Sequence, residues 1–392
     1  MQRSRLPAGG ANVFQKIRAK RAEAEAAGQR LLDLSIGEPK GPALMSAREA
    51  ARDAIMSDAE AMHAYQYNDS PAVPDFSRRF VRAHLKADLS DDAVDYLPIP
   101  GIKPILGLLP LSCGCAAAPT TVATMTKPGY PIPANWCDYL NLVTHYALPL
   151  NSENEFRFAP VDIAPDTNLV MINYPHNPSG QIATEAWIRA LCRHCAEHDI
   201  RLFNDAAYIA LSHTNESCPL SDIAGDNPNL SWAEAFTCAK LIGNGTGWHV
   251  GAMVGSPDFI ADMKEVKGKT DAGFVAPMAA GVLAALETDQ SGIRAFRTLY
   301  RDRLDHLTNL MTECGMRLAI RPQAAFYTLW ETPATAFGAP VESAEQFNFM
   351  MIENTGVVGV HFGDYLRYAV CGDVDAIQAE IKAAFTAAAV TY

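Results

Sequence analysis

The chain has 392 residues, of which 49% are hydrophobic and 19% charged, and its formal net charge at pH 7 is −12. This composition is typical of a soluble globular enzyme with more than one packing unit, and the acidic balance argues against a general nucleic-acid surface. No uninterrupted apolar run is long enough to span a bilayer. The basic N-terminal stretch is not followed by a signal-peptide core, and with nine cysteines we expect a reducing cytoplasm.

Strand-like and helix-like segments alternate through the middle of the chain. The predicted helices in this part are residues 132–142 and 184–198, and the predicted strands are residues 120–125, 144–150, 168–173, 200–204, 233–238 and 251–255. Short apolar strands that alternate with helices are typical of a largely parallel sheet with helices on both faces. The sequence therefore predicts an α/β fold.

The pattern changes from about residue 289. A long helix is predicted first, and the later elements are short apolar strands and an alanine-rich helix, at residues 293–314, 326–330, 357–360, 365–370 and 374–388. We expect residues 46–288 to form a large cofactor-binding domain and residues 289–392 a small C-terminal α+β domain. Residues 1–45 are predicted to be an N-terminal arm and part of the small domain.

The most informative stretch is residues 173–180, Asn-Tyr-Pro-His-Asn-Pro-Ser-Gly, which is followed by Asp205-Ala-Ala-Tyr208 and by Lys240 before a glycine cluster. An Asn, an acid, a Tyr and a Lys in this order are what a pyridoxal 5'-phosphate site requires. The lysine forms a Schiff base with the cofactor aldehyde, the acid keeps the pyridine nitrogen protonated, and the other two hydrogen-bond the ring hydroxyl. Because Asn177, Asp205 and Lys240 each follow a predicted strand, we expect them to converge at one edge of the sheet.

Residues 177–180 and 205–208 resemble the Asn-Pro-(Ser/Thr)-Gly and Asp-x-Ala-Tyr motifs of the class I/II aminotransferases of the aspartate aminotransferase fold type. The resemblance extends from Ser-Ile-Gly-Glu-Pro at residues 35–39 to Tyr-Leu-Arg at residues 365–367. It implies a three-layer α/β/α large domain with a mostly parallel sheet, the pyridoxal-phosphate transferase fold type I, plus a smaller α+β domain. It also implies transfer of an amino group between an L-amino acid and a 2-oxo acid by a ping-pong Schiff-base mechanism.

The resemblance also implies roles for individual residues. Lys240, Asp205 and Tyr208 are the predicted catalytic residues, and Asn177 joins Asp205 and Tyr208 on the cofactor ring. An arginine within an apolar strand needs a partner, and a guanidinium matches a carboxylate in bidentate geometry. Arg367 is accordingly predicted to bind the substrate α-carboxylate, with Gly37 and Asn177 beside it.

The cofactor phosphate is expected at Gly101, Ile102 and Lys103, because they lead into a helical run. The resemblance implies that the hydroxyl of Thr237 binds it as well. The family usually places an arginine after the lysine in a Gly-Trp-Arg-x-Gly pattern, whereas this chain has His249 at that point. Histidine is a weaker and pH-dependent phosphate partner. We therefore expect cofactor affinity to fall above neutral pH.

Three tyrosines extend the predicted site. Tyr130 is expected to stack on the pyridine face, and Tyr67 resembles the tyrosine that reaches the phosphate of a neighbouring subunit, with Tyr65 as a competing assignment. Either assignment implies a homodimer with shared active sites. Two cysteines of one predicted helix, Cys192 and Cys195, lack a second ligand pair, so we expect no metal site.

Several alternatives stay open at this point. Taken singly, Asp205 could cap a turn, Asn177 could begin one, and Arg367 could form a structural ion pair. The same scaffold also supports lyases and cyclising enzymes, and a non-catalytic binding protein is a third reading. No second arginine can be assigned to a substrate side chain, although His361 and Phe362 could face it. The local sequence contexts lean towards the diaminopimelate-like branch.

Overall fold

The computed structural model of the protein describes residues 13–392. In chain order its α-helices are α1 (Val13–Ala26), α2 (Met45–Ile55), α3 (Glu60–His63), α4 (Phe76–Arg82), α5 (Ile102–Leu106), α6 (Leu109–Ser112), α7 (Ile132–Cys137), α8 (Glu185–Glu197), α9 (Ser221–Ala224), α10 (Pro257–Lys267), α11 (Ala276–Thr288), α12 (Gln290–Glu313), α13 (Ala344–Thr355) and α14 (Gln378–Ala388). Within this described range, no helix is both long and apolar enough to cross a membrane.

The β-strands, in the same order, are β1 (Leu32–Asp33), β2 (Asp95–Ile99), β3 (Thr120–Thr124), β4 (Val143–Ala147), β5 (Leu169–Ile172), β6 (Arg201–Asp205), β7 (Trp232–Thr237), β8 (Gly251–Gly255), β9 (Leu318–Ile320), β10 (Tyr327–Glu331), β11 (Thr335–Ala336), β12 (Ala339–Pro340), β13 (Val357–Val358), β14 (Val360–Phe362) and β15 (Tyr365–Ala369).

Seven strands form the main sheet, in the spatial order β2-β8-β7-β6-β5-β3-β4. The neighbours from β7 to β4 pair in parallel, whereas β8 runs antiparallel to both β7 and β2. The prediction of a mostly parallel sheet is confirmed. Because the carboxyl ends of β5, β6 and β7 lie along one edge, the loops that follow these three strands are neighbours there.

Helices cover both faces of the main sheet, so the large unit has three layers. Along β5, Val170 and Ile172 belong to one hydrophobic cluster, and the alternate residues Leu169 and Met171 belong to another. This alternation follows from the two-residue period of a strand. The first cluster includes side chains of α4, α8 and α11, and the second includes side chains of α5 and α10. A strand buried on both sides reads as a continuous apolar run, which is why β5 was recognisable.

A smaller unit surrounds a four-stranded antiparallel sheet of order β14-β15-β10-β9. Its hydrophobic cluster takes side chains from α12, α13 and α14. The N-terminal part of the chain joins this unit, because β1 pairs in parallel with β13, and α1 shares a cluster with α13 and β14. The predicted α+β unit is thereby present, while the exact domain boundaries at residues 45 and 288 stay a prediction.

Several elements differ from the sequence prediction, and two of the differences have clear local reasons. Strand β2 was not predicted, since Pro98 within it removes a ladder donor; β2 is an edge strand that pairs only with β8, where a proline is tolerated. The final helix begins at Gln378 rather than at residue 374, because the preceding residues form a turn in which Asp373 accepts a hydrogen bond from the Ala376 amide at 3.3 Å.

Candidate functional site

A cavity of ≈1060 Å³ opens at the carboxyl edge of the main sheet, against the smaller unit. All of the predicted site residues except Tyr67 line it, namely Gly37, Gly101, Ile102, Lys103, Tyr130, Asn177, Asp205, Tyr208, Thr237, Lys240, His249 and Arg367. The convergence that was expected from strand ends alone is therefore present in the fold.

Three consecutive strand ends position the centre of the cavity. Asp205 is the last residue of β6, and Lys240 ends a single 3₁₀ turn directly after β7. The Thr237 hydroxyl caps that turn by accepting from the Ala239 amide at 3.2 Å. Asn173, just after β5, connects the loops: its side chain donates to the Asp205 carbonyl at 2.8 Å and accepts from the Asn177 amide at 3.0 Å.

Asp205 and Lys240 are both shifted towards their neutral forms. Burial raises the pKa of Asp205 to about 6, against the opposing effects of the Ala207 amide and of Lys240. Desolvation in the cavity lowers the pKa of Lys240. The Lys240 ammonium lies 5.8 Å from the centre of the Tyr208 ring. Because they face one cavity, this acid and this amine are placed to hold or move a proton there.

Arg367 is almost completely buried, at 2% exposure, on β15 of the smaller sheet. Its Nη1 donates to Asn177 Oδ1 at 2.9 Å, and its Nη2 donates to the Ser35 carbonyl at 2.8 Å. The guanidinium carbon lies 4.2 Å from the centre of the Tyr327 ring, and Nε has no hydrogen-bond partner. Within residues 13–392 no carboxylate is at ion-pair distance from Arg367, so a structural ion pair does not account for this buried charge.

Tyr327 is a site residue that the sequence prediction missed. Its hydroxyl is 3.0 Å from that of Tyr208, and burial raises the pKa of Tyr327 to about 12, so the phenol stays protonated. Gly37 packs directly on it: a Cβ at Gly37 would lie 2.0 Å from the Tyr327 hydroxyl oxygen. A tyrosine inside an apolar strand is typical of a hydrophobic core. Only the close packing of Gly37 on Tyr327 links this tyrosine to the site and explains the glycine at position 37.

The expected phosphate end is built by a loop and a short helix. Gly101 has a φ of +94°, which favours glycine, and α5 then runs for only five residues before the break at Gly107. The helical run that the sequence predicted is therefore divided into α5 and α6, and a helix dipole this short contributes little. The loop amides, Lys103, Thr237 and His249 are the groups that this end of the cavity offers to an anion.

Helix α1 supplies a wall of the cavity that the sequence prediction did not assign. The lining residues of α1 are Phe14, Ile17, Arg18, Arg21, Ala22 and Glu25. They recur at intervals of three or four residues, which is the signal of one helix face. Arg21 forms an ion pair with Asp33 at 2.7 Å, whereas no acidic side chain within the described residues is at ion-pair distance from Arg18.

Some highlighted residues lie elsewhere. Tyr65 and Tyr67 are exposed, at 69% and 48%, and do not line the cavity. Phe362 pairs with Tyr365 on the Arg367 face of the small sheet, 5.2 Å from the guanidinium, whereas His361 occupies the opposite face of β14. The two cysteines of α8 are buried in the main hydrophobic cluster.

Comparison with known proteins gives the family. Residues 29–377 match the sequence model of the family described as aminotransferase class I and II. The chain is 27% identical to an LL-diaminopimelate aminotransferase of Syntrophobacter fumaroxidans, over 94% of each protein, and 27% identical to the transaminase BacF of Bacillus subtilis, over 88% of this chain and 83% of the other. Its fold is similar to that of the aspartate aminotransferase of Rhizobium meliloti, with a TM-score of 0.84, 20% identity and full coverage of both chains.

These findings confirm the predicted fold type, the predicted cofactor and the predicted reaction class. The relatives named above are aminotransferases or transaminases, so elimination, cyclisation and a purely binding role gain no support. The chain belongs to the class I and II aminotransferases and is an enzyme that depends on pyridoxal 5'-phosphate.

Proposed function

We propose that the cavity holds pyridoxal 5'-phosphate with its aldehyde at Lys240 and its ring nitrogen at Asp205. The fit rests on the charges of the cavity: a buried carboxyl whose pKa is raised calls for a cationic N–H partner, and a desolvated amine is a nucleophile. Asn177 and Tyr208 are proposed at the ring hydroxyl and Tyr130 at the ring face. When bound, the cofactor supplies an electron sink for the charge that develops at the substrate α-carbon.

The phosphate is assigned to the part of the cavity lined by the loop before α5 and by residues of and after β7. Gly101 and Ile102 offer backbone amides, Thr237 offers a hydroxyl, Lys103 offers positive charge, and His249 offers a ring nitrogen. The assignment puts His249 in the place of the usual arginine.

Arg367 is proposed to bind the α-carboxylate of the amino acid and of the 2-oxo acid. The supporting observation is its burial with neutral acceptors only, which an incoming carboxylate would complete. Gly37, which packs against Tyr327 and lines the same cavity, is proposed to lie beside the bound group. Lys240, whose pKa is lowered, then takes the proton from the α-carbon at Nζ and returns it in the transfer to the second substrate.

The substrate side chain is proposed to carry a second acidic group. Arg18 lies on the cavity wall formed by α1 and has no acidic partner within the described residues. Arg21, on the same wall, is already neutralised by Asp33. Four relatives similar to this chain are named LL-diaminopimelate aminotransferases, and diaminopimelate carries two carboxylates. We therefore propose that the enzyme acts on dicarboxylic amino acids. We also propose that it works in the cytoplasm.

The active form is proposed to be a homodimer with shared sites. Apolar side chains are exposed on α2, on the loop before α4 and at the start of α11, three segments that pack together: Met45, Ile55, Met56, Tyr65, Tyr67 and Val275. The loop itself is fixed, since Lys267 donates to the Tyr67 carbonyl at 2.8 Å and pairs with Asp271 at 2.8 Å. A rigid loop that presents two exposed tyrosines fits a role in a partner's site.

The central prediction concerns the lysine. Borohydride treatment of the holoenzyme is expected to fix the cofactor covalently on Lys240, and peptide mapping locates the label. Lys240→Ala should give no label and no transfer. A label on any other residue would refute the assignment.

The same holoenzyme identifies the amino donor. Mixed with single amino acids and no acceptor, it should lose its long-wavelength absorbance fastest with a dicarboxylic amino acid. Arg18→Gln should reduce that advantage by about tenfold, since one charged hydrogen bond is lost. Equal rates for dicarboxylic and neutral amino acids would contradict the proposed substrate class.

A second prediction concerns His249. Cofactor dissociation constants, measured by titration of the apoenzyme at one pH, should be lower for His249→Arg than for the parent, because a guanidinium binds a phosphate in bidentate geometry. His249→Ala removes the contact and should raise the dissociation constant. Equal dissociation constants for the three proteins would exclude His249 as a phosphate partner.

A third prediction concerns the stability of the apoenzyme. A carboxyl whose pKa is raised by folding stabilises the folded state fully at pH values below its pKa in the unfolded chain. This contribution is lost as the pH rises through the folded-state pKa of Asp205, which is about 6. Asp205→Asn avoids this loss and keeps an oxygen for the Ala207 amide. Cofactor-free Asp205→Asn should therefore be more stable than the parent by up to about 3 kcal/mol at about pH 7.5, and by about 1 kcal/mol at about pH 4.5.

Urea unfolding of both apoproteins at the two pH values measures this difference. Added cofactor should stabilise the parent more than the variant, because the variant lacks the carboxylate for the ring nitrogen. If the difference in unfolding free energy between the two apoproteins does not change with pH, burial of the Asp205 charge is not its cause.

A fourth prediction concerns shared sites. Lys240→Ala homodimers should be inactive and Tyr67→Phe homodimers weakly active, and refolding the two variants together should restore activity. In the mixed dimer, one site combines an intact Lys240 with an intact Tyr67 from its neighbour. If mixing restores nothing but the same experiment with Tyr65→Phe does, Tyr65 is the contributing residue; a monomeric active enzyme in sedimentation would refute both.

A further inference from the structure

We propose that Arg21 and Asp33 are positioning residues that hold Arg367 in its carboxylate-binding geometry. The inference rests on the proposed function, in which Arg367 binds the substrate α-carboxylate. It assigns a role to helix α1, because Arg21 lies on that helix and lines the cavity. Neither residue needs to touch the substrate for this role.

A continuous path of polar contacts joins α1 to the guanidinium. Arg21 Nη1 pairs with Asp33 Oδ2 at 2.7 Å. The other carboxylate oxygen, Oδ1, accepts from the Ser35 amide at 3.0 Å and from the Ser35 hydroxyl at 2.6 Å. The Ser35 carbonyl in turn accepts from Arg367 Nη2 at 2.8 Å. Asp33 thus uses one oxygen for the helix and the other for the turn that holds Arg367.

The turn depends on this carboxylate because strand-like backbone bonding ends just before it. Leu34 donates to the Val358 carbonyl at 3.0 Å and accepts from the Ala369 amide at 2.6 Å. The hydrogen bonds of Ser35, the next residue, go to Asp33 and Arg367. The position of the Ser35 carbonyl is therefore set by the Asp33 side chain.

The charge of Arg21 matters as well as its hydrogen bond. The side chains of Arg21 and Asp33 are 29% and 21% exposed, so the pair is largely shielded from water. With Arg21 removed, the carboxylate of Asp33 would stay as an unpaired negative charge near the place where a carboxylate must bind. Like charges at close range weaken binding, so loss of Arg21 acts on the substrate through both geometry and charge.

Helix α1 is docked independently of this path. On the side towards α13, Lys16 pairs with Glu345 at 2.9 Å and Lys20 pairs with Glu353. Lys20→Gln therefore removes a positive charge and an ion pair from the same helix without touching the path from Arg21 to Arg367. It is the matched control for a general loosening of α1.

The experiment measures binding of a saturated dicarboxylate without an amino group, glutarate, to the holoenzyme by calorimetry, together with KM and kcat for donor and acceptor. Arg21→Gln is expected to raise the dissociation constant and both KM values about tenfold, with kcat changed less than about twofold. Asp33→Ala should raise them by less, because it leaves the positive charge of Arg21 on the cavity wall. Arg21→Lys should recover part of the loss, Lys20→Gln should behave as the parent, and the double variant should bind no better than Asp33→Ala.

Two outcomes would overturn the proposal: equal losses in Lys20→Gln and Arg21→Gln, or unchanged glutarate binding in Arg21→Gln and Asp33→Ala. The comparison with Arg367→Gln distinguishes failure of the positioning role from failure of the proposed carboxylate site at Arg367. If Arg367→Gln weakens glutarate binding by about 30-fold or more while the other variants do not, only the positioning role fails. If Arg367→Gln binds glutarate as the parent does, the carboxylate assignment itself fails.

Discussion

The buried guanidinium of Arg367 is the feature on which the substrate end of the cavity depends. Burial of a charge without an opposite charge costs on the order of several kcal/mol. Two neutral acceptors, Asn177 and the Ser35 carbonyl, and the faces of two aromatic rings offset part of that cost. We propose that a substrate carboxylate supplies the missing charge, since within the described residues the guanidinium has only neutral acceptors.

Burial also disfavours charge on Asp205 and Lys240, the residues that we propose hold the cofactor. Asp205 and Lys240 are each shifted towards neutrality by desolvation, and their mutual attraction does not cancel that shift in either residue. A ligand that presents an N–H group to the acid and a carbonyl carbon to the amine relieves both. The rigid main sheet maintains this arrangement because three of its strands end there.

The parts of the site that could be predicted from the sequence are those fixed by strand ends. Asn177, Asp205 and Lys240 follow short apolar strands, and parallel pairing then brings them together whatever the details of packing. Arg367 was predictable because an arginine in an apolar strand needs a partner. The cavity face of α1 was not predictable, because which side of that helix faces the cavity is decided by its docking on α13 and β14.

Tyr327 was missed for a related reason. The apolar pattern of its strand is typical of core residues. Only the close approach of Gly37 to its hydroxyl connects it with the site. The edge strand β2 was missed because a proline normally argues against a strand. In each of these cases the deciding contact joins residues far apart in the chain, and local periodicity carries no information about it.

The position of Arg367 also couples the two parts of the fold. The guanidinium belongs to the smaller sheet, yet it is bonded to Asn177 in a loop of the main sheet and to Ser35 near the start of the chain. Any movement of the smaller unit away from the main sheet must break at least one of these bonds. A ligand that binds Arg367 while also contacting the main sheet favours the arrangement in which the two units are close, because binding and closure then share the same contacts. The free energy of carboxylate binding therefore acts on the arrangement of the fold as well as on the substrate.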